Sequence, residues 1–405
     1  MSKLDELLRE LCPNGVEYKK LGEIATVLRG ASPRPIKKYI TNDSDGVNWI
    51  KIGDVPVGSK YITQSEEKIT KEGAEKSRYV RKGDFILSNS MSFGRPYILA
   101  IDGCIHDGWL SISNFKDVFL SDYLYYLLSS SAIQQEMKKR ASFGGAVQNL
   151  NADIVKALVL PVPPIEVQSE IVRILDNFTN LTAELTAELT ARQKQYAFYR
   201  NKLLTFGKTE RARIERIPLG DIGSICMCKR ILKSQTNTVR GVPFYKIGTF
   251  GKEADAYISQ ETFDEYRAKY NFPKKGDVLI SAAGTIGRTV VYNGEPAYFQ
   301  DSNIVWIDND ESIVLNSYLR YCYELKPWKA SEGGTIPRLY NDNIAKAVIA
   351  VPSIEEQKRI VSILDRFDAI CNDLTSGLPA EIEARQKQYE YYRDKLLTFK
   401  EVAAT

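Results

Sequence analysis

One feature limits what this chain can fold into: its long helical text is written twice, each time behind a stretch of strand-like text. VPPIEVQSEIVRILDNF (Val162 to Phe178) returns as VPSIEEQKRIVSILDRF (Val351 to Phe367), and ARQKQYAFYRNKLLTF (Ala191 to Phe206) as ARQKQYEYYRDKLLTF (Ala384 to Phe399). The offset grows from 189 to 193 between the two motifs, so the second copy carries four extra residues, about one helical turn. Ile171, Ile174, Phe178, Leu181 and Leu185 in the first copy, and Ile360, Ile363, Phe367, Ile370 and Leu374 in the second, step by three and four. That spacing predicts amphipathic helices with seams able to bury each other as a coiled coil. No Gly or Pro interrupts Glu166 to Leu204, so a continuous helix of roughly 58 Å is expected there. Inside it TAEL is written twice in succession, Thr182 to Leu185 and Thr186 to Leu189, a four-residue step that unwinds a supercoil locally. In the second copy Ser376, Gly377 and Pro379 are expected to stop one helix and start another.

The text between the helices is repeated as well. LGEI (Leu21 to Ile24) matches LGDI (Leu219 to Ile222), WIKIGDV (Trp49 to Val55) matches FYKIGTF (Phe244 to Phe250), and RKGDFILS with Gly94 and Arg95 matches KKGDVLIS with Gly287 and Arg288. ASFGGAVQNL (Ala141 to Leu150) answers ASEGGTIPRL (Ala330 to Leu339). Short strand-like runs separated by turn residues predict β-rich domains with a few helices, among them one over Ser121 to Arg140 and a short one over Ala152 to Lys156. The expected fold class is α+β: two β-rich globular domains separated by two long helices pairing as an antiparallel coiled coil, a pseudo-twofold tandem repeat. The expected boundaries are an N-terminal helix in 1–17, a first domain 18–164, a central helix 165–206, a second domain 207–353 and a distal helix 354–405. At 405 residues, 43% hydrophobic and 26% charged, there is room for two cores. Met1 to Leu11 is charged where a signal peptide is apolar, and no run of about 18 apolar residues exists, which predicts a cytoplasmic protein.

A β-rich domain ending in a VPxxExQ signature that opens a long helix, repeated once, resembles the DNA specificity subunit of type I restriction-modification systems, and the doubled TAEL resembles the branch in which such tetrads recur in the spacer. The resemblance implies two target-recognition domains that each read half of a split DNA sequence. It also implies double-stranded DNA, two modification (methyltransferase) subunits and restriction subunits as partners. A reader with two heads on a bar suits a bipartite target with an unread middle. Charge agrees weakly: Lys19 to Lys156 holds 20 Lys and Arg against 15 Asp and Glu, and Arg216 to Lys346 holds 17 against 15.

The repeat itself sorts candidate contacts. Positions shared between two domains that read different sequences are structural or touch the uniform backbone, and positions that differ are free to read bases. Arg95 and Arg288 are shared, and are expected at phosphates or in the framework. Asn89, Ser90 and Ser92 stand opposite a loop containing Thr285; His106 and Trp109 stand opposite Gln300 and Asn303; Gln148 and Asn149 stand opposite Pro337 and Arg338. With the basic clusters that include Arg34, Lys37, Arg230 and Lys233, these are the expected DNA contacts. The identical ARQKQY segments offer Arg192, Gln193, Lys194 and Gln195, and Arg385, Gln386, Lys387 and Gln388, as two copies of one docking surface.

Catalysis finds little support. The one histidine, His106, has Gln300 opposite it, no phosphate-binding GxxxxGK[ST] loop occurs, and Cys226 with Cys228 lacks the second pair that a structural zinc site needs. No cofactor and no metal are expected, and methyl transfer and cleavage are assigned to partners. A bivalent scaffold that ignores DNA, and a DNA-modifying enzyme acting alone, are the alternative readings.

Overall fold

The computed structural model describes residues 2–55, 58–89, 93–141, 149–206, 214–329 and 338–402. The chain is α+β and divides into two compact units, 1–186 with 381–405, and 187–380. Its helices include α1 (Lys3–Leu11), α2 (Ser121–Ser129), α3 (Ser131–Ala141), α4 (Ile165–Thr205), α5 (Asn316–Glu324), α6 (Ile354–Asn372) and α7 (Leu378–Leu396).

Among the described residues the first unit contains two five-stranded sheets. One orders Ile40–Thr41, Glu67–Ile69, Val47–Ile50, Gly103–Ile105 and Arg78–Val80; the other orders Thr26–Arg29, Trp109–Ser113, Phe85–Ser88, Pro96–Leu99 and Tyr61–Ile62. The second unit repeats both with four strands each: Thr236–Asn237, Tyr257–Ile258, Val242–Tyr245 and Tyr298–Phe299, then Gly223–Cys226, Ile304–Asn309, Val278–Ser281 and Thr289–Val291. A two-stranded ribbon closes each domain, Glu17–Lys20 against Val159–Val162 and Glu215–Pro218 against Val348–Val351. The sheets bury Phe85, Leu87, Leu110 and Ile112 in the first unit and Val278, Ile280, Val305 and Ile307 in the second.

The glutamine that ends VPxxExQ explains why this text opens a helix at that place. Gln168 is fully buried; its amide donates to the carbonyls of Pro163 (2.8 Å) and Val118 (2.9 Å), and its Oε1 accepts the Leu120 N–H (2.9 Å). Gln357 repeats the same three bonds, to Pro352 and Ile313 (2.9 Å each) and from Leu315 (2.8 Å). One side chain thus ties the helix start to the loop that begins α2 or α5. Gln357→Ala is expected to lower the stability of the second unit by about 3–5 kcal/mol, since each buried group left unpaired costs about 1–3 kcal/mol. Urea denaturation of the two units measures it, and an unchanged transition of the second unit would contradict this role.

The central helix runs unbroken, and the threonines of the tetrads sit comfortably in it because Thr182 and Thr186 donate to the carbonyls of Phe178 (2.9 Å) and Thr182 (2.8 Å). In the first unit α4 meets α7, with Phe178 stacked on Tyr392 at 5.5 Å; in the second α4 meets α6 in antiparallel sense, with Tyr196 and Tyr199 on Phe367 at 6.4 and 5.9 Å. The distal helix is broken between Asn372 and Leu378, as Ser376, Gly377 and Pro379 predict. The turn needs Gly377, because a Cβ there would lie 2.6 Å from the carbonyl oxygens of Ala369 and Asp373.

Two expectations are corrected. Ser121 to Arg140 is two helices, because Ser130 takes an extended backbone and its hydroxyl bonds the Leu127 carbonyl at 2.7 Å, capping one helix before the next begins. The seam of the second copy keeps Ile360, which is buried, and excludes Ile370 and also Leu374, which is 77% exposed and lies beyond the end of α6; Leu364 and Cys371 are buried instead.

Candidate nucleic-acid interface

Each unit carries a tight turn between its two sheets, residues 105–109 in the first and 299–304 in the second. Both turns are held by the same backbone bonds. The Asn89 N–H donates to the Gly108 carbonyl (3.1 Å) and the Leu150 N–H to the Asn89 carbonyl (2.9 Å), as Ala282 does to Asn303 (2.7 Å) and Leu339 to Ala282 (2.8 Å). The next residue enters the strand, Trp109 opposite Ser88 and Ile304 opposite Ser281. The second turn is therefore one residue longer, and the counterpart of Trp109 is Ile304, not Asn303. This corrects the expectation for Trp109, which is wholly buried with its indole N–H donating to the Ile50 carbonyl (3.2 Å). Asn89 is corrected with it: buried, its amide holds the Asp107 carbonyl (2.9 Å) and so shapes the turn from beneath.

His106 is half-buried between Trp49 and Trp109, and its Nδ1 accepts the Gly108 N–H at 2.8 Å. Burial lowers its pKa, only partly offset by the neighbouring Asp107, so the ring serves as a neutral acceptor within the turn. Gln300 works differently in the second unit, tying its turn to the segment after Val242–Tyr245 through an Oε1 that accepts the Ile247 N–H at 2.9 Å. Asp107 gathers the Ser32 hydroxyl (2.8 Å), whose bond holds the carboxyl below its usual pKa, and the exposed guanidinium of Arg34 (3.6 Å). Lys37 is exposed on the adjoining Ile36–Lys38 turn, Asn149 is exposed beside Leu150, and Arg95 lies over the Tyr97 ring at 5.6 Å. Ser90, Ser92 and Gln148 fall outside the described residues.

In the second unit the turn separates two clefts. One, about 480 Å³, gathers Arg230, Lys233 and Gln300 with Asn237, Thr238 and Lys246. The other, about 630 Å³, holds Arg338, which donates to the Ser302 carbonyl (3.0 Å) beside Tyr340. Asn303 is half-buried in the turn itself. Thr285 is exposed in the preceding hairpin, while the shared Arg288 is committed to the Phe250 carbonyl at 2.9 Å. Sequence comparison passed over Lys246 because its KIG text is common to both halves, and passed over Asn237 and Thr238 because nothing charged marks them.

The family described as type I restriction modification DNA specificity domain matches residues 13–192 and again 213–384. The chain belongs to this family. It carries two specificity domains, each matched together with the helix that follows it. It is 44% identical over 398 residues, 95% of this chain and 96% of the other, to a putative type I restriction enzyme specificity subunit of Haemophilus influenzae. It is 32% identical over 69% of this chain and 71% of the other to the EcoR124I/EcoR124II specificity subunit of Escherichia coli. In fold it is similar to a chain from a structure of a type I restriction-modification system, with TM-score 0.63 and 19% identity over 96% of this chain and 98% of that one.

The helices of the two specificity domains repeat their polar text in geometry as well as in letters. Arg192 donates to Gln195 and to Glu188 (3.0 and 2.7 Å), and Arg385 to Gln388 and Glu381 (3.0 and 3.4 Å). Gln193, Lys194, Gln386 and Lys387 are exposed, Gln386 bonded to Glu390 and Lys387 to Glu383. Among the described residues no helix is long and apolar enough to cross a membrane.

Proposed function

We propose that each specificity domain, 18–164 and 207–353, reads one half of a split duplex sequence through the turn between its sheets and the clefts beside it, and that the ARQK segments dock two methyltransferase subunits, to which restriction subunits are added. The observation that carries this reading is one backbone frame filled twice with different polar side chains: Arg34, His106 and Asp107 in one turn, and Gln300, Ser302, Asn303 and Arg338 in the other. Arg338 and Gln300 have the donors that guanine and adenine edges accept in the major groove, and Arg34, Lys37, Arg230 and Lys233 suit phosphates. Trp109 and Asn89 support the turn and are not contacts. Chemistry on DNA belongs to the partners, in keeping with a histidine whose Nδ1 is already engaged.

Exchanging residues 18–160 for the equivalent domain of a relative is expected to change one half of the methylated motif and leave the other half intact. Long-read mapping of methylation in a strain carrying the chimera tests this. A motif altered in both halves would defeat modular reading, and duplex binding that ignores salt would defeat DNA recognition itself.

A further inference from the structure

The first unit has a second polar cleft, of about 690 Å³, on a different part of the domain from the turn. Phe93, Arg95, Tyr125, Ser129, Lys138 and Arg393 are among its walls, with Gln386 and Tyr389 of the distal helix. Three cations line it, and among the described lining residues there is no carboxylate. Behind it Asp394 accepts the Arg393 Nε at 3.0 Å, and the Arg393 Nη2 donates to the Ser131 hydroxyl at 3.0 Å. Arg95 and Arg393 both act on the Tyr125 phenol between them, opposing the upward push of its burial.

The repeat shows what is special here. Tyr126 on Asp176 and Tyr321 on Asp365 put α2 and α5 in register, so Ser129 corresponds to Glu324. In the second unit Glu324 accepts from Tyr196 (2.8 Å) and Arg200 (2.9 Å), the counterparts of Tyr389 and Arg393. Arg288, the counterpart of Arg95, is taken up by the Phe250 carbonyl. Each arginine thus keeps one carboxylate, Glu324 for Arg200 and Asp394 for Arg393, and the first domain differs in that Arg95 and Lys138 line the cleft beside that pair while Ser129 adds no charge.

We infer that the cleft walled by Arg95, Ser129, Lys138 and Arg393 is an anion site that holds a backbone phosphate of the duplex outside the bases being read. This rests on the DNA-binding reading above. A phosphate there contributes to affinity and salt dependence without contributing to sequence choice.

The test measures binding of the full chain to a genomic fragment carrying a methylated site, between 50 and 200 mM salt. Ser129→Glu supplies the second domain's carboxylate and is expected to reduce the slope of log K against log salt by about one, and Lys138→Gln, on an exposed side chain, by about one as well. Ser129→Gln, of the same size and uncharged, should keep the wild-type slope, and all three should keep the recognised half-sites. Wild-type slopes in both Ser129→Glu and Lys138→Gln would overturn the inference, and so would a loss confined to partner assembly, which would make the cleft a seat for an acidic protein segment. A wild-type chain with no salt-dependent binding would instead bring down the DNA-binding reading.

Discussion

A chain ending at Ala380 is expected to lose the fold of its first half and keep that of its second. The last helix completes the N-terminal domain: Leu397 is buried in its core, with Tyr389, Leu396 and Phe399 packed around it. Backbone and side chains are tied at the same place. The Val16 N–H donates to the Lys400 carbonyl (2.8 Å), the Val402 N–H to the Val16 carbonyl (3.1 Å), and the Tyr18 hydroxyl to the Phe399 carbonyl (3.0 Å). Asp394 accepts the Ser131 N–H at 3.1 Å, at the start of α3. Leu397 at roughly 1.5–3 kcal/mol, with three partly buried side chains each contributing less, makes up a large share of a typical stability of about 5–15 kcal/mol. The second unit takes its matching segment from its own chain neighbourhood, where Tyr196, Leu204 and Phe206 are buried, and needs nothing from the deleted residues. Hydrogen exchange on the truncated chain should show protection lost in 17–162 and retained in 215–351. Protection retained in both would mean that the last helix is an accessory.

A third TAEL inserted after Leu189 is expected to lengthen the unread gap of the DNA target and change neither half-site. The tetrads lie in the interior of a 41-residue helix, far from either cap, so four more residues extend it by about 6 Å and turn its far end about 40° beyond a full revolution. A base pair advances the duplex by about 3.4 Å, which bounds the change at roughly two pairs, with one favoured where inclination or supercoiling absorbs part of it. Deleting one TAEL should shorten the gap. Both ARQK surfaces move as intact pieces, so assembly with the methyltransferase is expected to survive. The methylation motif of the engineered strain is the measurement: an unchanged gap, or new half-site bases, would separate spacing from helix length.

By itself the sequence determined the repeat, the α+β class, the unbroken central helix and the break after Asn372, because periodicity, Gly and Pro act over a few residues and need no distant partner. It also marked the VPxxExQ glutamines, though only the fold shows that each closes three buried hydrogen bonds. Of the candidate contacts, Gln300, Arg230 and Lys233 do converge on one cleft. Tertiary structure alone decided that Trp109 lies in the core and Asn89 under the turn, because an extra residue at 301–303 shifts the register there, and letters aligned without a gap pair a buried strand residue with a half-buried turn residue. It alone decided that the last helix belongs to the first domain, a pairing across almost the whole chain that no local pattern encodes. The charge difference between Ser129 and Glu324 follows the same logic: a single letter in a helix has no electrostatic meaning until the fold brings Arg393 or Arg200 to it.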